Sequence, residues 1–225
     1  MRPTADAPRW VVPTALSAGA LGLLLVARRV QQHWDATREE VAATLPGDDV
    51  LGPAADLVAT RAVTVGAPPE DVWPWLAQLG QGRGGFYSYD RLQSRLGLDI
   101  HNADDVVPEW QDVAPGDVVR LAPEVGLTVA VADRERALVL HGAPDPGGPS
   151  PQDAAMPFAF TWAFVLRPGP RGSTRLLVRE RYVYLRPWAA PLVELVQIAS
   201  FVMTTRMLRG IRERAEYRPP AEAVA

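Results

Sequence analysis

The stretch that most limits what this chain can fold into is Thr174 to Tyr184, TRLLVRERYVY. Read with a period of two, Leu176, Val178, Glu180, Tyr182 and Tyr184 share one face, while Arg175, Arg179 and Arg181 share the other. Such a segment is an extended strand with one apolar side, and an apolar side needs a second layer to cover it. Glu180 sits in the apolar row, where a carboxylate must be paired, hydrogen-bonded or kept neutral. Arg61 is a candidate partner; a strand end emerging into water beside Arg181 is the alternative. Burying three arginines costs more than burying one carboxylate, so the arginine face is expected to be the wet one.

Phe158 to Leu166 repeats the alternation, with Phe158, Phe160, Trp162, Phe164 and Leu166 facing one way and Ala159, Thr161, Ala163 and Val165 the other. Three shorter β-rich runs, Asp117 to Ala122, Leu127 to Ala132 and Arg136 to His141, are separated by turn residues as in an antiparallel meander. An earlier strand is expected over Val58 to Val65, with Arg61, Val63 and Val65 on one face. The covering layer is expected from Trp188 to Tyr217. It opens on the run PLVELVQIASFVM and continues with Met203, Met207 and Ile211 at a spacing of four, opposite Arg206, Arg209 and Arg212. This pattern predicts a helix buried all round at its start and amphipathic at its end, with methionines giving an adaptable lining.

Between the first strand and the meander, Ala67 to Asp112 concentrates Trp73, Trp75, Trp110, Tyr87, Tyr89, His101 and Asn102. A helix is predicted from Pro69 to Leu79, started by prolines and the acids Glu70 and Asp71, and kinked at Pro74. Gly80 to Gly85 breaks it, and Ser88 and Asp90 can cap a second helix over Tyr89 to Leu96. Gly80, Gly82 and Gly85 match G-x-G-x-x-G, but the match follows a helix rather than a strand, so the glycines read as a sharp turn and not as a dinucleotide site. Aromatics in this number form either the mouth of a pocket, with Trp75, Tyr87 and Trp110 beside it, or a plain cover for the core.

The runs APPEDVWPWLAQLGQGRGGFYSYDRL, HNADDVVPEWQDVAPGDVV and MTTRMLRGIRERAE resemble the SRPBCC superfamily, the START-like helix-grip proteins that include polyketide cyclases and lipid-transfer domains, in an uncharacterised bacterial membrane-associated branch. The resemblance spans about Leu45 to Tyr217. It implies an α+β helix-grip fold, a curved antiparallel sheet wrapped around the long C-terminal helix with an apolar cavity between them, and it fixes no reaction. On that reading the inner sheet face is the cavity wall. The candidate ligand-binding residues are then Trp75, Tyr87, Tyr89, His101, Asn102, Trp110, Trp162, Glu180, Tyr182, Met203 and Met207.

The N-terminus adds a different element. Trp10 to Ala27 is uncharged and, at about 1.5 Å per residue, covers roughly 27 Å, close to the hydrocarbon thickness of a bilayer. A single-pass N-terminal transmembrane helix over residues 10–27 is the leading reading. A signal peptide would want a small-residue cleavage site where Arg28 and Arg29 stand, and a buried soluble helix is the third possibility. Arg28, Arg29 and Arg38 after the span, against Arg2 and Arg9 before it, tip the globular part toward the cytoplasmic side of the cell membrane. The division expected is residues 1–45 as anchor and helical extension, 46–217 as the helix-grip domain, and 218–225 as a disordered tail.

Of 225 residues, 48% are hydrophobic, enough for one good core plus an appendage. A net charge of -3 argues against a nucleic-acid partner. The absence of cysteine excludes disulfides and thiolate chemistry, and with arginine as the whole basic complement there is no lysine for a Schiff base. His33, His101 and His141 lack metal-ligand spacing, no G-x-S-x-G elbow occurs, and Tyr87, Asp90 and His101 would offer acid-base chemistry only if they converged. Neither catalytic residues nor a cofactor are assigned. The expected function is a membrane-tethered binding or carrier protein for an apolar or amphiphilic, lipid- or polyketide-like molecule. A cyclase or dehydratase acting in the same cavity is the alternative, and an interaction module at the membrane a third.

Overall fold

The computed structural model describes residues 11–88, 101–123, 125–142 and 157–217, with side chains from residue 22 onward. The ligand candidate Tyr89, the expected second helix over Tyr89 to Leu96, Asp90, the loop after Gly142 and the C-terminal tail lie outside the described residues. In chain order the elements are α1 (Val11–Gln32), α2 (Arg38–Ala42), β1 (Leu57–Val65), α3 (Pro69–Ala77), β2 (Val118–Ala122), β3 (Val125–Asp133), β4 (Ala137–Gly142), β5 (Phe158–Pro168), β6 (Thr174–Tyr184) and α4 (Ala189–Ala215). The strands form one antiparallel sheet in the order β1-β6-β5-β4-β3-β2. A six-stranded antiparallel sheet with a long C-terminal helix against it is an α+β, helix-grip arrangement.

Tight turns build the meander. The β3–β4 connection is closed by the Arg136 amide on the Asp133 carbonyl at 2.9 Å with Glu135 at φ 65°, and the β5–β6 connection passes through Arg171 at φ 57°. The β5–β6 register aligns Phe160 with Tyr182, Trp162 with Glu180 and Phe164 with Val178, so the two alternating rows read from the sequence fall on the same concave face. β1 joins the free edge of β6 with Ala59 opposite Glu180 and Arg61 opposite Val178, which sends Arg61 to that face too. Val63, Leu76, Leu138, Leu140, Phe164, Leu176, Met207, Leu208 and Ile211 are buried together there, between sheet, α3 and α4.

The convex face departs from expectation. Arg179 and Arg181 are only 4% and 6% exposed. The chain between α1 and β1 covers them: Leu45 packs on Ala62, Val165 and Leu177, and the carbonyls of that segment accept from the arginines. Arg179 donates to the carbonyls of Glu40, Val41 and Ala43, to Thr60 and to Asp48 at 2.6 Å. Arg181 reaches the Gly52 and Pro53 carbonyls, and Arg175 binds Glu40, Asp35 and Thr64. A guanidinium carries five N–H donors, and backbone carbonyls supply the acceptors that burial would otherwise remove.

α4 inverts the expected burial. Its first half exposes Leu192, Leu195, Ile198 and Val202, while Met207, Leu208, Gly210 and Ile211 in its second half are buried. The second half is the enclosed one because α3 and the glycine loop pack onto it; Gly210 lies so close to Tyr87 that a Cβ would stand 2.3 Å from its carbonyl oxygen. α3 stops at Ala77, two residues short of the expected Leu79, since the Gly80–Gly85 bridge closes immediately after it.

Candidate functional site

The concave face beneath α4 holds a polar cluster and an aromatic wall. Glu180 is 1% exposed and its carboxylate is fully engaged. Oε1 accepts from Arg61 Nη1 at 2.7 Å, Ser200 Oγ at 2.5 Å and Thr204 Oγ1 at 3.2 Å. Oε2 accepts from Gln197 Nε2 at 2.8 Å and the Tyr182 hydroxyl at 3.3 Å. Arg61, wholly buried, also donates to Gln197 Oε1 at 3.0 Å and to the Gln31 carbonyl at the end of α1 at 2.8 Å, and it lies 5.7 Å from the Phe201 ring centre. Burial, with the neighbouring Glu180 charge second, pushes the Tyr182 hydroxyl well above the usual phenol range. Tyr182 is thus a neutral donor, and Glu180 has no free lone pair with which to act as a base.

Sequence reasoning identified Glu180, Tyr182 and Arg61 from strand phase. It missed Gln197, Ser200 and Thr204, although three polar side chains at spacings of three and four inside an apolar helical run are a readable signal: they lie on one side of the helix and need one common partner.

Beside this cluster the sheet is more open. Phe158, Phe160 and Trp162 on the inner side of β5 are half-buried, whereas Ala159, Thr161 and Ala163 on the outer side are buried. The rings contact one another in two groups, with centroids 5.4 Å apart for Phe158–Tyr182 and 4.7 Å for Phe160–Tyr182 in one, and 4.8 Å for Trp162–Phe164 and 6.1 Å for Phe86–Trp162 in the other. Among the described residues, the indole N–H of Trp162 is buried without a hydrogen-bond partner, one position across the sheet from Glu180. An apolar wall with one unused donor can take a small apolar molecule that carries an acceptor.

The remaining candidates are distributed differently. Trp75 and Tyr87 are 7% and 1% exposed and meet edge-on at 5.7 Å within the core, with the Arg214 guanidinium 5.0 Å over the Tyr87 ring. They lie on the concave side but fill it at the second half of α4, where Trp75 also borders a surface cleft of about 300 Å3 with Glu70, Arg214 and Tyr217. Tyr87 takes φ 50°, and Asn102 holds it there by accepting from the Phe86 and Tyr87 amides at 3.0 and 2.6 Å and donating to the Ser88 carbonyl. His101 is exposed, and Trp110 is half-buried in a turn whose carbonyl accepts from Arg83. Met207 is buried in the core and Met203 half-buried at the helix flank. The described residues contain no cluster of three or more potential metal ligands.

No protein-family model matches the chain, and no curated protein matches it. Solved structures do. A hypothetical protein from Helicobacter pylori is 14% identical with a TM-score of 0.45, over 77% of this chain and 96% of the other. Truncated norcoclaurine synthase from Thalictrum flavum is 14% identical with a TM-score of 0.43, over 72% and 95%, and a protein from Mesorhizobium loti is 16% identical at 0.41, over 70% and 96%. At these identities and scores the likenesses supply neither a relative nor an activity.

Proposed function

We propose that the protein binds or carries an apolar or amphiphilic small molecule on the concave face between the sheet and α4, tethered to the cell membrane through residues 10–27 with its globular part on the cytoplasmic side. The observation that carries the binding reading is the half-open ring surface of Phe158, Phe160 and Trp162 with its unused indole donor. The engaged state of Glu180 favours binding over the cyclase or dehydratase alternative, because its carboxylate is committed to holding β1, β6 and α4 together. The uncharged run before Arg28 supports the tether.

Native mass spectrometry of the full chain extracted from its own membranes, with identification of retained small molecules, tests both parts. A retained apolar compound that is lost on Trp162→Ala supports the assignment. A chain that carries no compound and washes into the soluble fraction at alkaline pH overturns it.

A further inference from the structure

The chain carries a second apolar surface, independent of the concave face. On α4, Leu192, Leu195, Ile198 and Val202 fall on one outer stripe that begins with Trp188 at the helix N-cap, and all five are exposed, Leu195 to 67%. By length and composition α4 is apolar enough to cross a membrane, and only 28% of its most apolar window is buried. The same outer stripe continues as Arg206, Arg209 and Glu213, so its apolar part ends sharply after Val202; Arg186 stands just before it. Between Trp188 and Val202 the single charge is Glu194, and Arg28 of α1 neutralises it through two hydrogen bonds of 2.5 and 2.7 Å.

The contacts of α1 fix where this stripe lies. Arg28 meets Glu194, Gln31 meets Arg61 next to Gln197, and Trp34, just past α1, lies 5.3 Å under Arg209. The two helices therefore run side by side in the same direction, and the apolar start of α4 is at the end from which α1 leaves the domain. There Leu23, Leu24, Leu25 and Val26 of α1 are themselves 60–73% exposed. Two adjoining apolar helix surfaces, their one acid neutralised and arginines bracketing the longer stripe, match a bilayer surface with anionic headgroups.

We propose that the outer stripe of α4 from Trp188 to Val202 is a lipid-contacting surface that lies against the membrane beside α1. This goes beyond the tether proposed above: it is a second point of membrane contact, and the experiment separates the two.

The absence of cysteine allows single reporters on the full chain. Leu195→Cys, Ile198→Cys, Leu24→Cys and Arg212→Cys, each labelled with an environment-sensitive fluorophore, are reconstituted with vesicles of phosphatidylcholine and phosphatidylglycerol that contain nitroxide-bearing lipid. The expected result is about twofold or greater quenching at 195, 198 and 24, and none at 212. Quenching at 24 alone, with 195 and 198 open to aqueous iodide, overturns the proposal and leaves the tether standing. Quenching at 195 and 198 but not at 24 supports the surface and overturns the tether. Protection of 195 and 198 from iodide without lipid quenching means that a second copy of the chain covers the stripe, and this overturns the proposal. Iodide access at all four positions overturns both readings.

Discussion

Arg61 and Glu180 stand 2.7 Å apart with side chains 0% and 1% exposed, on adjacent strands and diagonally placed, with Ala59 opposite Glu180 and Arg61 opposite Val178. Removing one member of a fully buried pair leaves a charge without compensation, which costs about 3–5 kcal/mol. Glu180→Gln and Arg61→Met are each expected to lose about 3 kcal/mol or more, read from denaturant unfolding of the full chain in detergent. The double variant is expected to fall short of the sum by about 2 kcal/mol, since the second change no longer strands a charge. It should not return to the parent stability, because the glutamine keeps only one of the two acceptor oxygens, so either Ser200 or the pair Gln197 and Tyr182 is left facing an amide N–H. Additive losses would show that the pair contributes nothing as a pair.

Arg179 is the central tie between the sheet and the segment before β1. Its guanidinium binds three carbonyls and Asp48, so Arg179→Met keeps the stem and removes the ties. Amide exchange at Leu45, which donates to Asp48, is expected to rise about a hundredfold, the equivalent of about 3 kcal/mol of local opening. Exchange in β5 should stay unchanged. Equal acceleration in both regions would mean that the segment is not held separately.

Gly210→Ala sets two effects against each other. In an exposed helix the change gains about 1 kcal/mol of propensity. Here the new methyl would meet the Tyr87 carbonyl oxygen at 2.3 Å, and Tyr87 already sits at positive φ. Overpacking against backbone costs about 1–3 kcal/mol, so net destabilisation is expected, with a lower thermal midpoint. A raised midpoint would show that the loop yields freely.

His33 gives the fold a mild acid sensitivity. Burial, with Arg29 as the next cause, holds its pKa below the ordinary value. As pH falls through about 6.5 the unfolded chain takes up the proton first, so stability declines from there until the folded site is protonated as well. Unfolding midpoints measured between about pH 7.5 and 5 should fall in the parent and fall less in His33→Gln. Identical slopes would exclude His33 as the source.

Strand phase made β5, β6 and the inward turn of Glu180 legible, because a period of two leaves no choice of face once one side is apolar. The same argument failed for Arg179 and Arg181. It compared the cost of burying bare charges, and the carbonyls that satisfy them come from residues 40–53, read as the end of a helical extension and a linker; the helix instead ends at Gln32 and the chain turns back over the sheet through α2. The apolar start of α4 was ambiguous for a different reason: Leu192, Leu195 and Ile198 have the same composition whether they meet protein or lipid, and only the position of the sheet decides. The aromatics around Trp75 and Tyr87 read equally as a pocket mouth or a core cover because ring count reports area, whereas their burial depends on Asn102 and Gly210, residues further along the chain.

The three convex-face arginines also set an order of events during synthesis. Arg179 and its partner Asp48 are 131 positions apart, so at about 5–20 residues per second the guanidinium is made roughly 7–26 s after the carboxylate. Throughout that interval the segment from Asp35 to Pro53 lacks the β6 arginines that hold it to the sheet. The first helix therefore emerges, and commits to whatever surroundings it meets, before the part of the protein that will hold its far end exists.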